Sequence, residues 1–195
     1  YEPHWSFAQV KKPELPEAGK GWAANPIDHF IAEKLEKSGL KPNPPEDLGR
    51  FYRRLHFDLT GLPPAPEAIE AFEKSAVANP QVAIEAAADQ LLASSASAEN
   101  LARHWLDAAR YADTHGIHID NYRAIWPYRD WVIRAFQANM PWDQFTTEQI
   151  AGDMLPDRTL DQLVATGFSR CLATTGEGGA IAKEYDAIYA KDQVE

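Results

Sequence analysis

Apolar residues recur along the chain at intervals of three and four, the spacing of one face of an α-helix, and nowhere alternate in the manner of a half-buried strand. Ile27, Phe30, Ile31 and Leu35 follow Asn25-Pro26, a capping residue and a first-turn proline, and the pattern stops at Gly39. An amphipathic helix is predicted there. Leu48, Phe51, Tyr52, Leu55 and Leu59 repeat the pattern, which Gly61, Pro63 and Pro64 end. Further helices are predicted over about 66–74, 80–93 and 98–112. Another over about 127–138 is expected to bury Tyr128, Trp131, Val132, Ala135 and Phe136. Thr146 to Gln149 has the form of a capping box. Leu160, Leu163, Val164 and Phe168 line a later helix, and the chain reads as helix again from Ala180 onward. The fold class is all-α, an irregular multi-helix domain with long Pro- and Gly-rich connections.

Residues 1–24 break this pattern. Pro3, Pro13 and Pro16, with Trp5, Phe7 and Trp22, show no helical period and predict an extended arm, leaving 25–195 as a single helical domain. The 195 residues are 45% hydrophobic, enough for one sizeable core. Nineteen basic against 29 acidic residues, a net charge of -10, argue against a nucleic-acid partner. The apolar runs fall short of the roughly 20 residues a membrane span needs. Cys171 is the only cysteine, so an internal disulfide is excluded. The start at Tyr1, without Met or an apolar leader, and the helical pattern running into Glu195 point to a piece truncated at its C-terminal end.

The unusual polar chemistry lies between His104 and Arg134. Helical spacing sets Arg103, Asp107 and Arg110 near one another, with Leu101, Trp105 and Ala108 facing inward. A carboxylate between two guanidinium groups is either a structural clamp or an anion-recognition site. The next segment places Asp113, His115, His118 and Asp120 within eight positions, with Gly116 letting the backbone turn between them. Such nitrogen and oxygen donors suit a divalent metal such as zinc, iron or manganese. The alternative is a polar loop whose histidines hydrogen-bond backbone or neighbouring carboxylates.

Trp126, Tyr128, Trp131 and Trp142 close by form either a stacking surface for a sugar ring or part of the core. Asp130 and Arg134, four apart, read as a surface pair. The loop from Thr174 to Gly179 lacks the lysine and preceding strand of a phosphate-cradling loop, but Glu177 among its glycines reads as a carboxylate brought close to something. Cys171 has no histidine near it in sequence and reads as a buried structural thiol.

Asn25-Pro26-Ile27-Asp28, Arg53-Arg54-Leu55, Phe57 to Pro64, Arg103 to Asp113, Tyr128 to Phe136, Gln149 to Asp153 and Glu177-Gly178-Gly179 together carry a family likeness. The chain resembles the domain of unknown function found beside planctomycete-type cytochrome c domains in large secreted proteins of Planctomycetes and Verrucomicrobia. The resemblance implies an extracytoplasmic, periplasmic or secreted location, and electron transfer or polysaccharide breakdown as the setting. In relatives the sequence continues into a Cys-x-x-Cys-His box for covalent haem c. This chain has no such box, so haem c belongs to a continuation or to a cytochrome partner. Three functions are in play at this point. One is an accessory domain of a cytochrome-type assembly. Another is a metal-dependent enzyme on carbohydrate, with Asp113, His115, His118 and Asp120 as ligands and Asp107 or Glu177 as acid or base. The last is a helical protein-binding subunit anchored by Trp126.

Overall fold

The structure, a computed structural model, describes residues 4–176, 178–192 and 194. Among the described residues all regular structure is helical, as α1 (Pro26–Lys37), α2 (Leu48–Thr60), α3 (Pro66–Ala76), α4 (Pro80–Leu92), α5 (Ser95–Ala108), α6 (Trp126–Gln137), α7 (Trp142–Ala151), α8 (Leu160–Ala165) and α9 (Ala182–Asp192). The fold class is all-α. Contacts divide the chain into two compact units, residues 1–46 and 47–195.

In the first unit the Asn25 side chain accepts from the backbone N–H groups of Ile27 and Asp28, while the Asp28 carboxylate accepts from those of Ala24 and Asn25. This reciprocal box fixes the start of α1. Its end is a Schellman turn: Gly39 is left-handed, Leu40 N–H reaches the Leu35 carbonyl at 2.9 Å, and Gly39 N–H that of Glu36. The arm lies against the helix, with His29 Nδ1 2.8 Å from the Ala18 carbonyl oxygen and Gly19 N–H donating to Glu36.

In the second unit α2, α3 and α4 pack on one another, and the Tyr52 and Phe72 rings stack at 4.4 Å. α5 follows and makes its broadest contact with α6. Ala102 gives α5 a small residue in the core it shares with the large residues of α6. The core gathers Ala102, Ile125, Tyr128, Trp131, Val132, Ala135, Phe145, Ala165 and Cys171. Phe145 of α7 sits between Trp131 and Trp105, at ring distances of 5.3 and 5.0 Å.

Several predicted boundaries move. α5 starts at Ser95, where Ser94 caps it, and ends at Ala108 rather than near Ala112. Leu101 and Ala108 are exposed, and the buried face is Ser97, Ala98 and Ala102. Thr146 lies inside α7, its hydroxyl bonded back to the Trp142 and Asp143 carbonyls, so it is no cap. The reciprocal box belongs instead to Thr159 and Gln162. α8 ends at Ala165 and tightens into a 3-10 turn, Thr166–Arg170, leaving Leu160 and Leu163 exposed. The turn brings Gly167 against Tyr128, where a side chain would stand 2.7 Å from the Tyr128 Cβ.

Gly152, after α7, meets the chain even more tightly: a methyl group there would collide with the Gln162 carbonyl oxygen. Gly152→Ala is expected to destabilise the second unit by about 1–3 kcal/mol, because the obstacle is backbone and cannot rotate away. A lower urea midpoint at unchanged slope would register this; an unchanged midpoint would show that α7 and α8 shift freely.

Candidate functional site

The tract begins at the end of α5. Ala109 closes the helix, Arg110 adopts a left-handed conformation with φ 57°, and Tyr111 N–H returns to the Leu106 carbonyl at 2.9 Å. This is the Schellman turn again, with an arginine where glycine is usual, at a cost of about 1–2 kcal/mol. The turn throws Arg110 off the helix face shared by Arg103 and Asp107. The expected clamp is therefore not made: Arg103 donates to Asn100 at 3.1 Å, Asp107 is exposed, and Arg110 pairs with Asp192.

Asp113 occupies the centre of the tract. One carboxylate oxygen accepts from Ile125 N–H at 2.9 Å, the residue that opens α6 and has no side-chain cap of its own. The other accepts from the Tyr111 hydroxyl, with Arg129 3.8 Å away. Partial burial alone would raise the carboxyl pKa, but the tyrosine hydroxyl, the α6 backbone N–H groups and the arginine outweigh it and hold Asp113 below the usual carboxylate range. Tyr111 is correspondingly pushed above the ordinary tyrosine range, by its own burial first and by the hydrogen bond to Asp113 second.

Between Asp113 and Arg123 the backbone folds back on itself. Arg123 N–H donates to the Asp113 carbonyl and His115 N–H to that of Asn121, with an antiparallel bridge between Thr114 and Tyr122. His118 and Asp120 are left-handed at the tip, and the Asp120 carboxylate closes it by accepting from Gly116 N–H at 2.6 Å. A second strip, Leu172 to Thr174, stitches the loop down. Thr174 N–H donates to the His115 carbonyl at 2.7 Å, the Thr174 hydroxyl lies 2.7 Å from His115 Nδ1, and Arg123 donates to both the Leu172 carbonyl and the Thr174 hydroxyl. His118 Nε2 meets the Tyr185 hydroxyl of α9 at 2.8 Å.

Each of the four candidate metal ligands is thus turned to a different partner. Among the described residues no three His, Cys, Asp or Glu side chains converge as a metal site would require. The four aromatic residues divide between the core and the surface. Tyr128 and Trp131 are core residues, Trp142 packs edge-on to Trp105 at 5.5 Å, and Trp126 is about half exposed. Asp130 pairs with its neighbour Arg129, and Arg134 with Asp161, rather than with each other. Glu177 lies outside the described residues.

Behind the loop is a polar knot that the periodicity does not single out. Gln149 is 2% exposed; its side-chain carbonyl accepts from the Tyr128 hydroxyl at 2.6 Å and Trp105 Nε1 at 3.1 Å, while its amide donates to the Phe145 carbonyl. The one sign of it in the sequence is an amide on the apolar side of a helix, since its donors Trp105 and Tyr128 lie 44 and 21 residues away. On the far side of Arg110 a cavity of about 640 Å³ opens, lined among others by Phe168, Cys171 and Leu172. Burial pushes the Cys171 thiol up to about 11, in keeping with a structural residue rather than a nucleophile.

Asp113→Asn is expected to cost about 1–3 kcal/mol, since it weakens the cap on α6 and leaves the partly buried Tyr111 hydroxyl with a poorer acceptor. Because the folded carboxyl pKa lies below the unfolded one, its contribution is complete above about pH 4 and disappears as the pH falls through the folded value. Urea unfolding between neutral pH and about pH 2 would show a smaller acid loss in Asp113→Asn than in the parent; equal losses would mean that other carboxylates carry it.

Among the described residues no helix is long and apolar enough to cross a membrane. No curated protein and no solved structure matches the chain. One family does, over residues 26–195, which takes in α1 to α9 and every residue of the loop described above. The chain belongs to that family, PSCyt2, a protein family of unknown function (DUF1549).

Proposed function

We propose that the chain is an accessory domain of an extracytoplasmic cytochrome-type assembly, in which the tract from His104 to Arg134 docks a haem-bearing neighbour. The observation that carries this reading is the division of labour in the loop. Its polar side chains are spent on holding its own shape, through Asp113, His115, Arg123 and Asp120, while Ile119 and Tyr122 stand 74% and 72% exposed and Trp126 flanks them. Large apolar side chains on a rigid polar frame are the makings of an interface, because binding then orders little that is not already ordered. The family designation, with its cytochrome element, supports the choice of partner. A Cys-x-x-Cys-His box needs two cysteines and this chain has one, in keeping with covalent haem carried by a continuation or by a partner.

The test is co-purification of the chain with the c-type cytochrome domain of the same assembly, read by haem absorbance in the eluted complex. Replacing both Tyr122 and Trp126 by alanine is expected to weaken association roughly thirtyfold, the effect of losing about 2 kcal/mol of anchoring contact. Helical circular dichroism should be unchanged, since both side chains are exposed. No association with the cytochrome domain, or association indifferent to both substitutions, would reject the reading.

A further inference from the structure

The cavity beside Arg110 has the volume of a small-molecule site, and its chemistry is two-sided. Phe168, Cys171, Leu172 and Ala109 give it apolar walls, and Arg110 and Asp192 are the charged groups at its edge. The Arg110 guanidinium is held there by a left-handed backbone that a glycine would adopt without cost. Its two terminal nitrogens grip the two Asp192 oxygens at 2.9 and 3.0 Å, the forked geometry with which arginine binds a free carboxylate.

Asp192 is a loosely owned partner. α9, which carries it, has no buried residue. Its attachments to the rest of the unit include three on one face: Tyr185 to His118, by a hydrogen bond and an edge-on ring contact, the Tyr189 hydroxyl accepting from Thr175 N–H, and Asp192 to Arg110. A carboxylate so held can be exchanged for another at little loss of packing. A ligand that brings an apolar body as well would gain from the cavity walls what Asp192 does not.

We propose that this cavity is a binding site for a small monocarboxylate with an apolar body, and that Asp192 stands in for its head group on Arg110. One carboxylate suits one arginine, and a chain of net charge -10 disfavours polyanions. The site shares the tract from His104 to Arg134 with the docking surface proposed above, through Arg110, but uses none of its exposed residues Ile119, Tyr122 and Trp126. Ligand binding would release the Asp192 end of α9 while leaving Ile119, Tyr122 and Trp126 where they are.

Calorimetric titration of the whole chain with hexanoate, with hexan-1-ol as the headless control, tests this. Hexanoate is expected to bind Asp192→Ala about tenfold more tightly than the parent, which must first displace its own carboxylate. Asp192→Asn, which keeps the shape of the helix end, should also bind more tightly than the parent. Adding Arg110→Gln to either should abolish binding, and hexanoate should slow alkylation of Cys171 in Asp192→Ala. Equal affinity in parent and both Asp192 variants, persistence of binding without Arg110, or hexan-1-ol binding as well as hexanoate would overturn the proposal.

Discussion

The second unit turns on one carboxylate. α5 and α6 make its broadest helix contact, yet a loop of more than a dozen residues joins them, and the left-handed Arg110 sends the chain away from the helix axis before it returns. Asp113 closes the circuit by binding Tyr111, just past the end of α5, and the backbone of Ile125, just before α6. The anion sits at the positive end of the α6 dipole, where its charge is favoured, and Arg129 of the next turn adds to it. Without that link α6 would begin with orphan N–H groups beside a buried aromatic core, and the loop would have no fixed base.

From that base the rest of the tract follows in order. The fold-back of the loop gives Thr174 its place, Thr174 and Leu172 give Arg123 its acceptors, and the arginine then braces the base of the loop from below. The Gln149 knot does the equivalent work in the core. It satisfies the two polar tips that Tyr128 and Trp105 carry inward, so that α5, α6 and α7 are fixed in rotation as well as in distance. What reaches solvent from this frame includes the large side chains of Ile119, Tyr122 and Trp126, beside the exposed His118, Asp120 and Asn121. That is why the arrangement reads as a surface to be met rather than a cleft to be filled, and why the cavity beside Arg110 is a separate matter.

How far the sequence discloses this depends on whether a feature is local. The starts of α1 and α4 are legible because Asn25-Pro26 and Asn79-Pro80 carry the whole cap within a few residues. Gly39 announces a left-handed stop, but Arg110 performs the same turn without the residue that signals it, and α5 therefore reads four residues too long. The polar loop is legible as unusual, and its histidines and aspartates as engaged. Their partners, Thr174, Tyr185 and Ile125, lie 59, 67 and 12 residues away, the last bound through its backbone, and no spacing rule reaches them. Asp113 looks like a metal ligand for the same reason that it works as a cap: it is an acidic side chain ahead of an apolar helix, but across a loop rather than next to it. Gln149 is hidden because a single amide in an apolar pattern is ordinarily taken for a surface residue.

The manner in which α9 is attached has a calorimetric consequence. Heat-capacity change on unfolding comes from apolar surface passing into water. α9, with no buried residue and only Tyr185 and Tyr189 half-buried among its apolar rings, contributes little of it. Melting of α9 would therefore show as a loss of helical signal with little curvature in its stability against temperature, while the transition of α5 to α8, with Trp131, Val132 and Phe145 at its centre, carries the curvature of the second unit. Added salt would weaken the first event through the Arg110 and Asp192 pair and leave the second nearly untouched. In thermodynamic terms the last helix is an appendage held by charge and hydroxyl groups on a body held by aromatic rings.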